Sequence, residues 1–216
     1  MRLFRRFTQG ELRLTRIEAF SDGVFAVAVT LLVLDLKVPV LQDHADVREL
    51  GQALLDQLPK FVSWLISFVI VCKFWLNHHH VLGLARHADY GFVWLNSIFL
   101  LGQSFIPFPT AMVGEYPGNP LAVSFFGCVF ALNTFLFMGL HAHIERRLIK
   151  PELAALQDPH GFRKGLVGPL SYLIGAAAAW VYTPAAFVIY ALTPIFYITP
   201  PQGHGGAQKG KKAGER

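Results

Sequence analysis

An all-α integral membrane protein is the fold class this chain predicts, on three observations. Hydrophobic residues make up 53% of its 216 positions and charged residues only 15%, too little polar surface for a soluble domain of this size. The apolar residues gather into long runs of membrane-crossing length. Lys and Arg cluster beside alternate runs, the signature of a multi-pass topology.

The runs predict six spans at 17–36, 58–78, 90–112, 120–142, 165–182 and 185–199. Residues 1–16 form a basic arm ahead of the first span, and 200–216 a Gly/Lys tail too poor in apolar residues to fold. Between the first two spans, Val47, Leu50, Leu54 and Leu58 recur at helical spacing among charges. A short amphipathic helix near 46–57 follows, lying on the outer surface and ended by Pro59. The GEYPGNP segment after Met112 makes a tight outer turn, and a very short one surrounds Pro184. The run Gly175 to Ala179 suits close helix contact. The last span is short and contains Pro194, so it is tilted, kinked or interfacial. No internal duplication is visible, and 17–199 reads as one six-helix unit.

Orientation follows from the basic residues. The amino-terminal arm, the second and fourth loops and the tail hold fifteen Lys and Arg, against three (Lys37, Arg48, Lys60) on the other side. By the positive-inside rule both termini are cytoplasmic, which requires an even number of spans. Lys73 falls near the cytoplasmic end of helix two, within snorkelling reach. The net charge of +5 sits in arms and loops that flank spans, so the partner it implies is the lipid bilayer and not nucleic acid. The amino terminus carries no signal-peptide cleavage pattern, and the first span is expected to be retained as an anchor. Cys72 and Cys128 both fall inside spans and read as buried small residues.

Helix one carries the most information. Within RIEAFSDGVFAVAVTLLVLDLK, Arg16 to Lys37, Asp22 lies in the first turns of the span. A carboxylate at such depth costs roughly 2.5 to 3.5 kcal/mol on insertion scales unless it faces protein or water. Phe20, Gly23, Val27, Thr30, Leu31 and Leu34 share one helical stripe, and Asp22 points away from it. The stripe admits two readings. It is a packing seam, or it is a pore lining in which Val27, Leu31 and Leu34 form a hydrophobic constriction flanked by the Thr30 hydroxyl. One stripe encloses a pathway only when several copies surround an axis.

Other polar residues lie at a depth similar to that of Asp22. Helix two supplies Lys73, Trp75, Asn77, His78 and His79, and helix three supplies Asn96. A buried hydrogen-bond network that locks helix one is the economical arrangement, with a proton relay through Asp22 and a histidine as its rival. Consecutive helical residues point about a hundred degrees apart, so His78, His79 and His80 do not readily share a metal ion. His141, His143 and Glu145 at the end of helix four are expected to be solvated. There is no Gly-rich phosphate loop, GxSxG or CxxC pair and no TVGYG-type filter. Neither an enzyme, a metal nor a cofactor is expected.

Arg16-xxx-Phe20-Ser21-Asp22 matches the RxxxFSD signature of the transmembrane protein 175 family of endosomal and lysosomal potassium channels, and the single six-helix unit resembles its bacterial branch. FWLNHHH at 74–80 resembles the family's helix-two Trp/His motif, Asn96 its helix-three asparagine, and FIPFPTAMVGEY at 105–116 its helix-three exit. The likeness covers roughly the first 120 residues well and the remainder by hydropathy. It implies a potassium-selective channel of the bacterial inner membrane, a homotetramer with helix one lining the pore. It places the filter at Val27, Leu31 and Leu34, with Thr30 near ion selectivity. It also assigns Arg16, Phe20, Ser21, Asp22, Trp75, His78 or His79, and Asn96 to holding the pore helix. Val27 replaces a bulkier residue usual at the first filter position, which shifts the expected constriction toward Leu31 or Leu34. A proton-coupled transporter or proton channel using Asp22 and the histidines is the alternative, and a non-conducting scaffold a third.

Overall fold

The structure, a computed structural model, describes residues 13–154 and 161–196. Most of the predicted basic arm and the whole of the 200–216 tail lie outside the described residues. Among the described residues the fold is helical, apart from one isolated bridge.

α1 (Leu14–Leu31) continues as a 3-10 turn, Leu32–Asp35. α2 (Val47–Asp56) starts at Asp46, whose carboxylate accepts from the N–H groups of Arg48 and Glu49. Pro59 does not end this helix. α2 stops at Asp56, and Pro59 sits in the first turn of α3 (Leu58–Leu84), where its missing N–H has no helical partner to lose. α3 runs six residues past its predicted end, which leaves Lys73 eleven residues inside it, partly buried and not at its terminus.

α4 (Tyr90–Phe105) and α5 (Pro107–Glu115) are one apolar rod interrupted at Ile106. Pro107 has no N–H for the Gln103 carbonyl, which accepts instead from Ile106 at 3.2 Å in a tighter turn. α6 (Pro120–His143) is capped by Asn119 and prolonged by a π-helical turn, Ile144–Leu148. The short α7 (Pro151–Ala154) and α8 (Gly161–Gly165) lead to α9 (Val167–Ala178) and α10 (Thr183–Phe196).

Among the described residues, four segments are long and apolar enough to cross a bilayer: Leu14–Asp35, Leu58–Leu84, Tyr90–Glu115 and Pro120–Leu148. The fifth and sixth predicted spans are occupied by α9 and α10. α8 runs into α9 through a single helical turn at Leu166, so the rod covers 161–178 and extends about 27 Å, a little less than a hydrocarbon core about 30 Å thick. The described part of α10 has 14 residues.

α9 and α10 pack on α6 through a notch of glycines. A Cβ added at Gly127 or Gly175 would collide with the Tyr190 ring or hydroxyl, so both positions leave room for that side chain. The Tyr190 hydroxyl donates to the Val123 carbonyl at 3.0 Å, and Ser124 Oγ donates to the Ala176 carbonyl at 2.6 Å. The Gly/Ala run is thus half of a close helix contact. Cys72 is half-buried as a small packing residue, whereas Cys128 is exposed on the outer face of α6, contrary to expectation.

Candidate pore helix and its hydrogen-bonded support

α1 has two unlike faces. Ile17, Ser21, Phe25, Ala28 and Leu32 recur every three to four residues and are buried against α3 and α4. The predicted stripe is on the other side, with Phe20 65%, Val27 57%, Leu31 42% and Leu34 69% exposed. Within one chain the stripe is therefore no packing seam. It borders an open groove of about 510 Å³ that Ser104 of α4 closes on its far side.

Thr30 is also exposed. Its hydroxyl donates to the Ala26 carbonyl at 2.8 Å and lies 3.0 Å from that of Val27. With its proton committed to the helix backbone, the Thr30 oxygen presents lone pairs outward.

The buried face of α1 is pinned by a chain of hydrogen bonds whose polarity can be worked out. Ser21 Oγ gives its proton to the Ile17 carbonyl at 2.8 Å and so accepts from Asn96 Nδ2 at 3.1 Å. That fixes the Asn96 amide, and its Oδ1 faces His78 Nε2 at 2.7 Å. An amide oxygen only accepts, so His78 Nε2 carries the proton. All three side chains are buried. The His78 ring stacks on Phe99 with centroids 5.6 Å apart and meets Phe25 of α1 at 5.4 Å. α1, α3 and α4 are thereby joined at one depth by a polar bridge inside an aromatic cluster.

Asp22 belongs to a separate, outer contact. Trp75 Nε1 donates to its Oδ1 at 2.9 Å, and the two residues help line a groove of about 410 Å³ between α1 and α3. His79 stacks on the Trp75 ring at 6.2 Å and makes no hydrogen bond among the described residues. Of the two histidines, only His78 reaches Asn96. The RxxxFSD residues are likewise divided: Ser21 and Asp22 are bonded to neighbouring helices, whereas Arg16 and Phe20 lie on the exposed face. Among the described residues no group of three His, Cys, Asp or Glu is placed to hold a metal.

Two features escaped the sequence. Lys73 borders a small cavity of about 70 Å³ with Asn77, Thr134 and His141, between α3, α6 and α9. His143 is not simply solvated, because its Nε2 contacts Asp89 Oδ1 at 2.8 Å. Asp89 also caps α4 by accepting from the Phe92 N–H at 2.7 Å. A Cβ at Gly91 would meet the His143 ring at 2.7 Å, so glycine there lets the ring approach. The signal available beforehand was Asp89 three residues before Phe92, an N-cap pattern, but nothing in the sequence brings His143 to it.

The geometry of a solvent-open apolar stripe, backed by a hydrogen-bonded face, has relatives. The family model for the endosomal/lysosomal potassium channel TMEM175 matches residues 16–107. A potassium channel of Chamaesiphon minutus is 34% identical over 186 residues, which are 81% of this chain and 90% of that one. The chain belongs to the TMEM175 family. The crystal structure of a lysosomal potassium-selective channel TMEM175 homologue from the same organism superposes with a TM-score of 0.72 at 32% identity. That superposition covers 85% of this chain and 95% of the other. The mouse endosomal/lysosomal proton channel TMEM175 is 27% identical over 197 residues, 83% of this chain and 39% of that longer protein. The TMEM175 family is one of ion channels and not of enzymes, and the protein is a multi-pass membrane cation channel.

Proposed function

We propose that the protein conducts potassium, with modest selectivity, through a central pore formed by four copies of α1 in a bacterial inner membrane. One observation carries this reading: α1 buries one face in its own chain and leaves Val27, Leu31 and Leu34 uncovered on the other. In a ring of four, these side chains stack as a hydrophobic constriction that opens by wetting. Thr30 supplies outward lone pairs on the flank of the constriction, the arrangement a partly dehydrated cation requires. Ser21, Asp22, Trp75, His78 and Asn96 position the pore helix, and Arg16 and Phe20 extend the uncovered face toward the cytoplasm. His79 supports the pore helix through its stack on Trp75.

In this reading the α8–α9 rod and α10 complete a six-helix unit over 17–199, with α10, which contains Pro194, tilted, kinked or interfacial. Residues 1–16 and 200–216 lie on the cytoplasmic side with both termini. The potassium preference is supported by the names of the bacterial relatives.

A proton channel is the second reading, favoured by the name of the mouse relative and by Asp22 at the edge of an open groove. Against it, His78 is sealed among aromatic rings and its Nε2 proton is held by Asn96. The experiment is ion flux from protein in liposomes under potassium, sodium and proton gradients, repeated with Leu31→Asn. The pore reading expects potassium flux without a proton gradient, raised severalfold by Leu31→Asn because the amide hydrates the constriction. Flux that demands a proton gradient and ignores Leu31 would replace it with the relay, and Asp22→Asn would then abolish that flux.

A further inference from the structure

We propose that the rim where α3 and the π-helical end of α6 meet binds the phosphodiester of an anionic glycerophospholipid, with Arg86, Arg146 and Arg147 as its ligands. The two segments are more than sixty positions apart in sequence, and the backbone ties them together. Arg86 N–H donates to the Leu148 carbonyl at 2.9 Å and Lys150 N–H to that of Leu84 at 3.0 Å, around a bridge between Ala85 and Ile149. Lys150 Nζ completes the tie by donating to the Gly83 carbonyl at 2.7 Å, which places a further cation on the C-terminal end of α3. The Arg86 backbone is thus fixed against the end of the turn that carries Arg146 and Arg147, and all three side chains are exposed.

Two carboxylates of this rim, Asp89 and Glu145, are already engaged, while Glu152 at the start of α7 is exposed. Asp89 is held by His143 and the Phe92 N–H, and Glu145 lies 3.3 Å from His141 Nε2. None of the three arginines forms an ion pair among the described residues. Three exposed guanidinium groups on long flexible stems thus border one rim, and the paired donors of each match two oxygens of a phosphodiester.

Depth selects a lipid over a soluble anion. α3 has 27 residues and so spans about 40 Å, longer than a hydrocarbon core about 30 Å thick. Its end, with Arg86 just beyond, projects into the headgroup layer, as does the 29-residue segment Pro120–Leu148 that carries Arg146 and Arg147. The rim also holds the end of the helix that bears Trp75 and His78, so an occupied site fastens the support of α1 to the bilayer.

The full chain in neutral detergent is titrated with short-chain phosphatidylglycerol, with phosphatidylcholine of the same chain length, and with inorganic phosphate, and thermal unfolding is followed. Wild-type protein should gain several degrees from phosphatidylglycerol alone, and Arg86→Gln/Arg146→Gln/Arg147→Gln should lose most of the gain. A variant with Lys209, Lys211 and Lys212 changed to Gln should keep it. An undiminished gain in the triple-arginine variant would overturn the proposal, as would its loss in the tail variant. An equal gain from inorganic phosphate would make the rim a soluble-anion site and refute the lipid assignment. The readout does not involve conduction, so it stands or falls separately from the pore.

Discussion

Asn96 is the residue on which three helices converge, and its neighbours make its worth calculable. Replacing it with leucine leaves the His78 Nε2 proton without an acceptor and removes the donor to Ser21, both buried. Orphaned buried polar groups cost about 1–3 kcal/mol each, while a single interhelical hydrogen bond in a membrane averages about 0.6. Asn96→Leu should therefore lower unfolding stability by about 2 kcal/mol or more, and Ser21→Ala by less, since one bond is lost. Trp75→Phe should cost least, because both partners of the Trp75–Asp22 bond are exposed within the chain. Denaturant or thermal unfolding of the three variants gives this order directly. A Trp75→Phe loss exceeding that of Asn96→Leu would move the anchor of α1 from the buried bridge to the outer contact.

Helix ends decide how the elements are held in register. The Asp89–His143 contact joins the start of α4 to the end of α6, two turns from Asn96 on the same helix. Partial burial acts to raise the Asp89 carboxyl, but the Phe92 N–H and the His143 ring outweigh it and hold the group below its ordinary value of 3.8. A depressed carboxyl contributes stability that is fully present above its unfolded-state value and is lost as pH falls through the folded-state value. Thermal stability should therefore show an acid limb below about pH 4, and Asp89→Asn should flatten it while lowering stability at neutral pH. Melting curves from pH 7 to pH 3 in the two proteins make the comparison, and an unchanged limb in Asp89→Asn would assign it to other carboxylates. On the opposite side, Lys60 Nζ and Glu115 Oε2 at 2.6 Å tie α3 to α5. The rods are thus fastened at both ends, and the Tyr190 notch holds α9 and α10 to α6.

At the scale of the whole molecule, the uncovered stripe of α1 is the surface to account for. Under the proposed assembly, Val27 of one subunit lies near its counterparts around the axis, whereas Leu132, exposed on α6, faces lipid. In a background with Cys72 and Cys128 changed to serine, Val27→Cys should give disulfide-linked chains on mild oxidation in membranes, and Leu132→Cys should not. Cross-linking at Leu132 alone would place the contact between copies on α6 and leave α1 facing lipid.

The helical class, the membrane and the starts of α3, α4 and α6 were legible in the sequence, because they follow from local composition and spacing: apolar runs and the GEYPGNP turn. The stripe of α1 was legible for the same reason, since helical geometry fixes which residues share a face. Tertiary structure decided what each face meets. It left the stripe uncovered, chose His78 over His79 for Asn96, and stacked His79 on Trp75. It alone brought His143 to Asp89 and the Arg86 backbone to Leu148. Such pairings depend on how rods pack across long stretches of chain, and side-chain identity restricts but does not encode which distant partner arrives.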